Sequence, residues 1–75
     1  MITLKILDYK NNCIETWTWK LSRPIPNKGD TLLLHVGNNV DDIYRVTVLR
    51  REFDITNPDC IGIVTNYTQL NKEDL

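Results

Sequence analysis

The sequence predicts an all-β domain, five strands curled into a small, partly open barrel. Three observations predict it. Ile, Val and Thr make up 21 of 75 residues while alanine is absent, a composition that suits pleated strands and not helices. Turn-forming clusters recur at short intervals, at Asn11-Asn12, Gly37-Asn38-Asn39 and Thr56-Asn57-Pro58-Asp59. Between them apolar and polar residues alternate, and no stretch of ten residues keeps a helical period.

Each element follows from the chain in order. The first strand is expected over residues 2–9, where Ile2, Leu4 and Ile6 share a face. Asn11-Asn12 closes a tight hairpin, because asparagine tolerates the positive φ that such turns require. The second strand, residues 13–21, sets Glu15, Trp17, Trp19 and Leu21 on one side. Ser22 to Asp30 is an extended connector: Pro24 and Pro26, one residue apart, exclude both a helix and a central strand. The third strand, residues 31–36, turns Leu32, Leu34 and Val36 one way and His35 the other.

The fourth strand, residues 43–55, is long and its parity slips. Tyr44, Val46 and Val48 share a face, after which Leu49, Phe53 and Ile55 carry the apolar pattern. A one-residue slip inside a strand is what a β-bulge produces, so a bulge is expected near Val48–Arg50. Long bulged strands turn the corners of small barrels. The fifth strand, residues 60–67, places Ile61 and Ile63 together. Residues 1–67 then form a single domain, and the polar tail 68–75 frays or makes a short helical turn. Closure of strand one antiparallel to strand five would bring Cys13 beside Cys60, near disulfide distance though still as thiols.

Seventy-five residues support one core at most. The net charge is −1, with acidic and basic residues interspersed, which excludes a strongly basic nucleic-acid binder and an acidic disordered tail. The start, Met1-Ile2-Thr3-Leu4-Lys5, lacks the apolar run of a secretory leader, and no segment reaches the ~20 apolar residues of a membrane helix. Two cysteines without CxxC spacing are expected as reduced thiols in a cytoplasmic protein, although a secreted chain stripped of its leader would read the same.

Catalytic chemistry finds no foothold. A zinc site from His35, Cys13 and Cys60 would want a fourth ligand and paired spacing. A Cys–His nucleophile would want an oxyanion loop and an orienting third group. Asp30, Asp41, Asp42 and Asp59 occupy turn positions where aspartate caps the local backbone. Three glycines make no phosphate cradle. The expectation is a protein without catalytic residues, metal or cofactor.

The stretch Pro26-Asn27-Lys28-Gly29-Asp30-Thr31-Leu32-Leu33-Leu34, followed by Tyr44-Arg45-Val46-Thr47-Val48, resembles the PxxGD, strand, turn, YxVxxV pattern of SH3-like small barrels, including those of short bacterial and phage proteins. The match spans residues 24–65. It implies an SH3-like barrel, a fold that serves peptide binding, nucleic-acid binding or assembly. The peptide groove of SH3 domains depends on a long loop after the first strand. Here that loop is the short Asn11-Asn12 turn, which argues against proline-rich ligands.

Two functional leads remain. Leu7, Leu33 and Val64 fall on parities that should look outward, and together they would form a patch docking a protein partner or a second copy. This makes a non-catalytic binding or accessory module the leading expectation. The alternative is a single-stranded nucleic-acid binder using Trp17, Trp19, Arg45 and Arg51. The near-neutral charge weighs against it, and at least one of the two indoles is expected to supply core volume.

Overall fold

The computed structural model describes residues 1–35 and 43–68. It contains β1 (Ile2–Leu7), β2 (Cys13–Trp19), β3 (Thr31–His35), β4 (Ile43–Phe53) and β5 (Cys60–Thr65), and no helix among the described residues. All five expected strands are present. The expected turn at Gly37-Asn38-Asn39 and the tail beyond Thr68 lie outside the described residues.

Local chemistry explains the turns. Asn11 adopts φ +65°, and the Asp8 carboxylate accepts the Lys10 and Asn12 amide N–H groups at 2.8 and 2.9 Å, bracing the β1–β2 hairpin. Gly29 adopts φ +91°, open to glycine without a Cβ penalty. That geometry lets its N–H donate to the Val48 carbonyl at 2.9 Å while the Val48 N–H donates to Asp30 at 2.8 Å. The proline connector is thereby clipped onto β4, and Pro26 within it is buried.

The strands form one sheet in the order β2-β1-β5-β4-β3. Neighbours pair antiparallel except β1 and β5, which run parallel. The β4–β5 register shifts between Val48 and Arg50, the position at which parity places the bulge. The sheet curls into a half-barrel, so that residues of β3 and β4 meet those of β1 and β5 in one core: Ile2, Leu4, Ile6, Leu34, Tyr44, Val46, Val48, Ile61 and Ile63. No contact joins β2 to β3, and the barrel stays open between them.

Three expectations are corrected. The parallel pairing aligns Thr3 with Cys60, whereas Leu7 aligns with Cys13 on the other side of β1. The two thiols therefore sit at opposite ends of β1, roughly 13 Å apart along its axis. Parity is the same for either strand direction, so it carries no information on this point. Leu49, Phe53 and Ile55, which carry the shifted parity, are exposed, Ile55 by 94%. The bulge is real, but β3 pairs only with Ile43–Thr47, so nothing covers the far half of β4. Val64, expected to face outward into solvent, is fully buried. β5 is the central strand, and at Val64 its outer face is covered as well as its inner one: Val64 lies between Leu7 and Arg50 in register.

Candidate functional site

Val64 is roofed by a side chain from the neighbouring strand. Arg50 reaches from β4 across β5 to the β1–β2 turn, where its guanidinium donates to Asn11 Oδ1 at 3.2 Å, with Glu52 at 3.8 Å. Leu7 is half-buried beside Val64, and Leu33 is 51% exposed on β3. Leu33 aligns with Arg45, five residues along β4 from the Arg50 row. Leu7, Leu33 and Val64 therefore do not form one apolar patch.

The same outer face carries a groove of about 390 Å³ lined by Lys5, Leu7, Asn11, Glu52, Phe53, Asp54, Cys60 and Gly62. Lys5, Gly62 and Glu52 share one register row, and the missing Cβ at Gly62 makes its floor. Its walls hold one cation against two carboxylates. Asp54 is held below the usual carboxylate value by hydrogen bonds from the Thr56 hydroxyl at 2.6 Å and the Thr56 N–H at 2.9 Å, with Lys5 nearby. An open trough of mixed charge is a poor recognition surface for either sign of ligand.

The inner face at β2 is built differently. Glu15, Trp17 and Trp19 align with Ile6, Leu4 and Ile2 and face the core, all half-buried. The two indoles stack with centroids 6.0 Å apart and planes 16° from parallel. Trp17 Nε1 donates to Glu15 Oε2 at 2.9 Å, and the Arg23 guanidinium sits 5.9 Å from the Trp19 ring centroid. Trp19 Nε1 is buried without a hydrogen-bond partner among the described residues. Both rings thus serve the core's margin, along with Ile25 and Leu32.

The backbone of β2 is the more telling feature. Thr3 N–H donates to the Asp59 carbonyl at 2.7 Å, so the Thr3 backbone points toward β5. Backbone groups alternate sides along a strand, so those of Ile2, Leu4 and Ile6 point toward β2 and bond with Trp19, Trp17 and Glu15. The N–H and C=O groups of Thr16 and Thr18 consequently point away from the sheet. No strand pairs with them among the described residues. The edge has few of the usual protections: Cys13–Trp19 contains no proline and no lysine, Glu15 is its one inward-pointing charge, and its only irregularity lies at the Cys13 end.

The residues of the nucleic-acid alternative are not brought together. Trp17 and Trp19 sit on the inner face of one edge strand. Arg45 aligns with Leu33 on the outer face near the opposite edge. Arg51 shares the row of Glu15, Ile6 and Ile63, three strands from Glu15. Sequence reasoning missed the β2 edge because edge status depends on strand order; the signal present was the proline- and lysine-free Cys13–Trp19 run itself. Among the described residues no group of three or more His, Cys, Asp or Glu is placed to hold a metal, and no helix is long and apolar enough to cross a membrane. No protein-family model, curated protein or solved structure matches the chain.

Proposed function

We propose that this chain is a non-catalytic protein-binding module that takes an extended protein segment onto the β2 edge. The observation that carries this reading is the row of outward N–H and C=O groups at Thr16 and Thr18, flanked on the inner face by Trp17 and Trp19. An added strand would satisfy those groups, and its inward side chains would cover the half-buried indoles. Main-chain hydrogen bonds then supply affinity, and the indole margin selects side chains. The separation of Arg45 and Arg51 from the indoles disfavours the nucleic-acid reading.

The test is amide exchange with a panel of alternating Val/Thr peptides of eight residues. Protection of the Thr16 and Thr18 amides, with tryptophan emission shifted to the blue, is the expected result. Peptides that leave those amides unprotected while oligothymidine quenches the tryptophans in a salt-dependent way would replace this reading with the nucleic-acid one.

A further inference from the structure

We infer that the natural occupant of the β2 edge is the β2 edge of a second copy, paired antiparallel about a two-fold axis through Trp17. The inference rests on the edge-binding reading above and adds the partner. Strand pairing fixes what such a dimer looks like. Thr16 and Thr18 are the residues whose backbones point outward, so they must form the hydrogen-bonded pairs. An axis at Trp17 sets Thr16 opposite Thr18 of the second copy and Thr18 opposite its Thr16, which makes four hydrogen bonds.

The segment Thr16-Trp17-Thr18 reads the same in both directions, so this pairing matches like with like: threonine faces threonine on one side of the sheet, and Trp17 faces Trp17 on the other. An axis at Thr16 would instead need Ile14 as a pairing residue, and the β1–β2 register shift falls between Glu15 and Cys13, at Ile14.

Charge argues for the same register. Across the Trp17 axis, Glu15 stands directly opposite Trp19 of the second copy, over whose ring Arg23 is already poised at 5.9 Å. Glu15 uses Oε2 for the Trp17 Nε1 bond, which leaves Oε1 to accept from that Arg23. The symmetry makes the pair twice. Two half-barrels then share one continuous sheet with both edges at β2 removed.

Sedimentation equilibrium of the full chain from micromolar to millimolar tests this, with two kinds of variant. Thr18→Pro removes an N–H that points out of the sheet and leaves the β1 ladder intact; it is expected to be monomeric. Arg23→Glu, at an exposed position, and Glu15→Lys each place like charges across the axis and should weaken self-association about tenfold or more. Mixed together, Arg23→Glu and Glu15→Lys restore opposite charges at both sites, so the mixture should associate as the parent does. A wild-type chain that stays monomeric at millimolar concentration overturns the inference. If its Thr16 and Thr18 amides are nevertheless protected by a Val/Thr peptide, the edge-binding reading survives that failure. A dimer indifferent to both Thr18→Pro and Arg23→Glu pairs through some other surface and also overturns it.

Discussion

Val64→Ala separates two accounts of the outer face. If Val64 were a surface residue, truncation would change stability by no more than about 0.5 kcal/mol. The structure instead buries it completely between Leu7 and Arg50 on the central strand. Removing two methyl groups costs about 1.6 kcal/mol in transfer free energy alone, and the cavity left under Arg50 takes the total to roughly 2–3 kcal/mol. A domain of this size shifts its midpoint by about 4–8 °C per kcal/mol, so thermal unfolding followed by far-ultraviolet circular dichroism should show a drop of at least ~8 °C. Leu33→Ala, at a residue that is 51% exposed, should move it by no more than ~3 °C. A Val64→Ala midpoint within ~3 °C of the parent would refute the claim that the outer face of β5 is covered at Val64.

Three further outcomes follow from the turns and thiols. Asn11→Gly should leave stability unchanged within about 0.5 kcal/mol, while Asn11→Ala costs about 1 kcal/mol more in urea unfolding, because both lose the Arg50 contact but only alanine resents φ +65°. The Asp8 and Asp54 carboxyls lie below their ordinary value of 3.8, Asp8 chiefly through the Asn12 N–H and Asp54 through the Thr56 hydroxyl. A depressed folded value contributes stability that is complete above 3.8 and lost as pH falls through the lower folded value. The double variant Asp8→Asn, Asp54→Asn should thus lose less stability than the parent between about pH 5 and pH 2 in acid titrations followed by circular dichroism. Of the two thiols, exposed Cys13 should react quickly with a chromogenic disulfide and buried Cys60 far more slowly until the chain unfolds; a single fast phase for both would contradict the burial of Cys60.

The elements were legible because their signals are local. Asn11 takes the positive φ its side chain tolerates, Pro24 and Pro26 keep the connector extended, and the switch from Val48 to the next register marks the bulge. Each of these depends only on residues a few positions apart. The core contribution of β1, β3 and β4 was legible for the same reason, since Ile2, Leu4, Ile6, Leu34, Tyr44, Val46 and Val48 all lie on one parity and all are buried. What failed was every inference that needed strand order. An apolar residue on the parity opposite to its strand's core face, such as Val64 beside Ile61 and Ile63, is outward on an edge strand and inside on a central one. An even more local pattern, the shifted run Leu49, Phe53 and Ile55, predicts burial only if another strand covers that half of β4, and β3 is too short to do so.

The same dependence on order explains why the candidate site escaped the sequence. The Thr-Trp-Thr-Trp alternation of residues 16–19 reads as an ordinary half-buried strand, and between two neighbours it would be one. At the end of the order β2-β1-β5-β4-β3 it has a different meaning: the threonines sit where the backbone is unpaired and the indoles where the core is incompletely covered. Half-buried indoles leave on the order of 50 Å² each to be covered, worth roughly 1 kcal/mol per ring. That gain is small beside the several kcal/mol that association costs in lost translational and rotational freedom. Indole burial therefore cannot hold two copies together by itself. The pairing must draw on the Thr16 and Thr18 hydrogen bonds and the Glu15–Arg23 contacts, which are the terms that Thr18→Pro and Arg23→Glu remove. An association built this way is weak and salt-sensitive, and its signature is a dimer fraction that falls as ionic strength rises at fixed protein concentration.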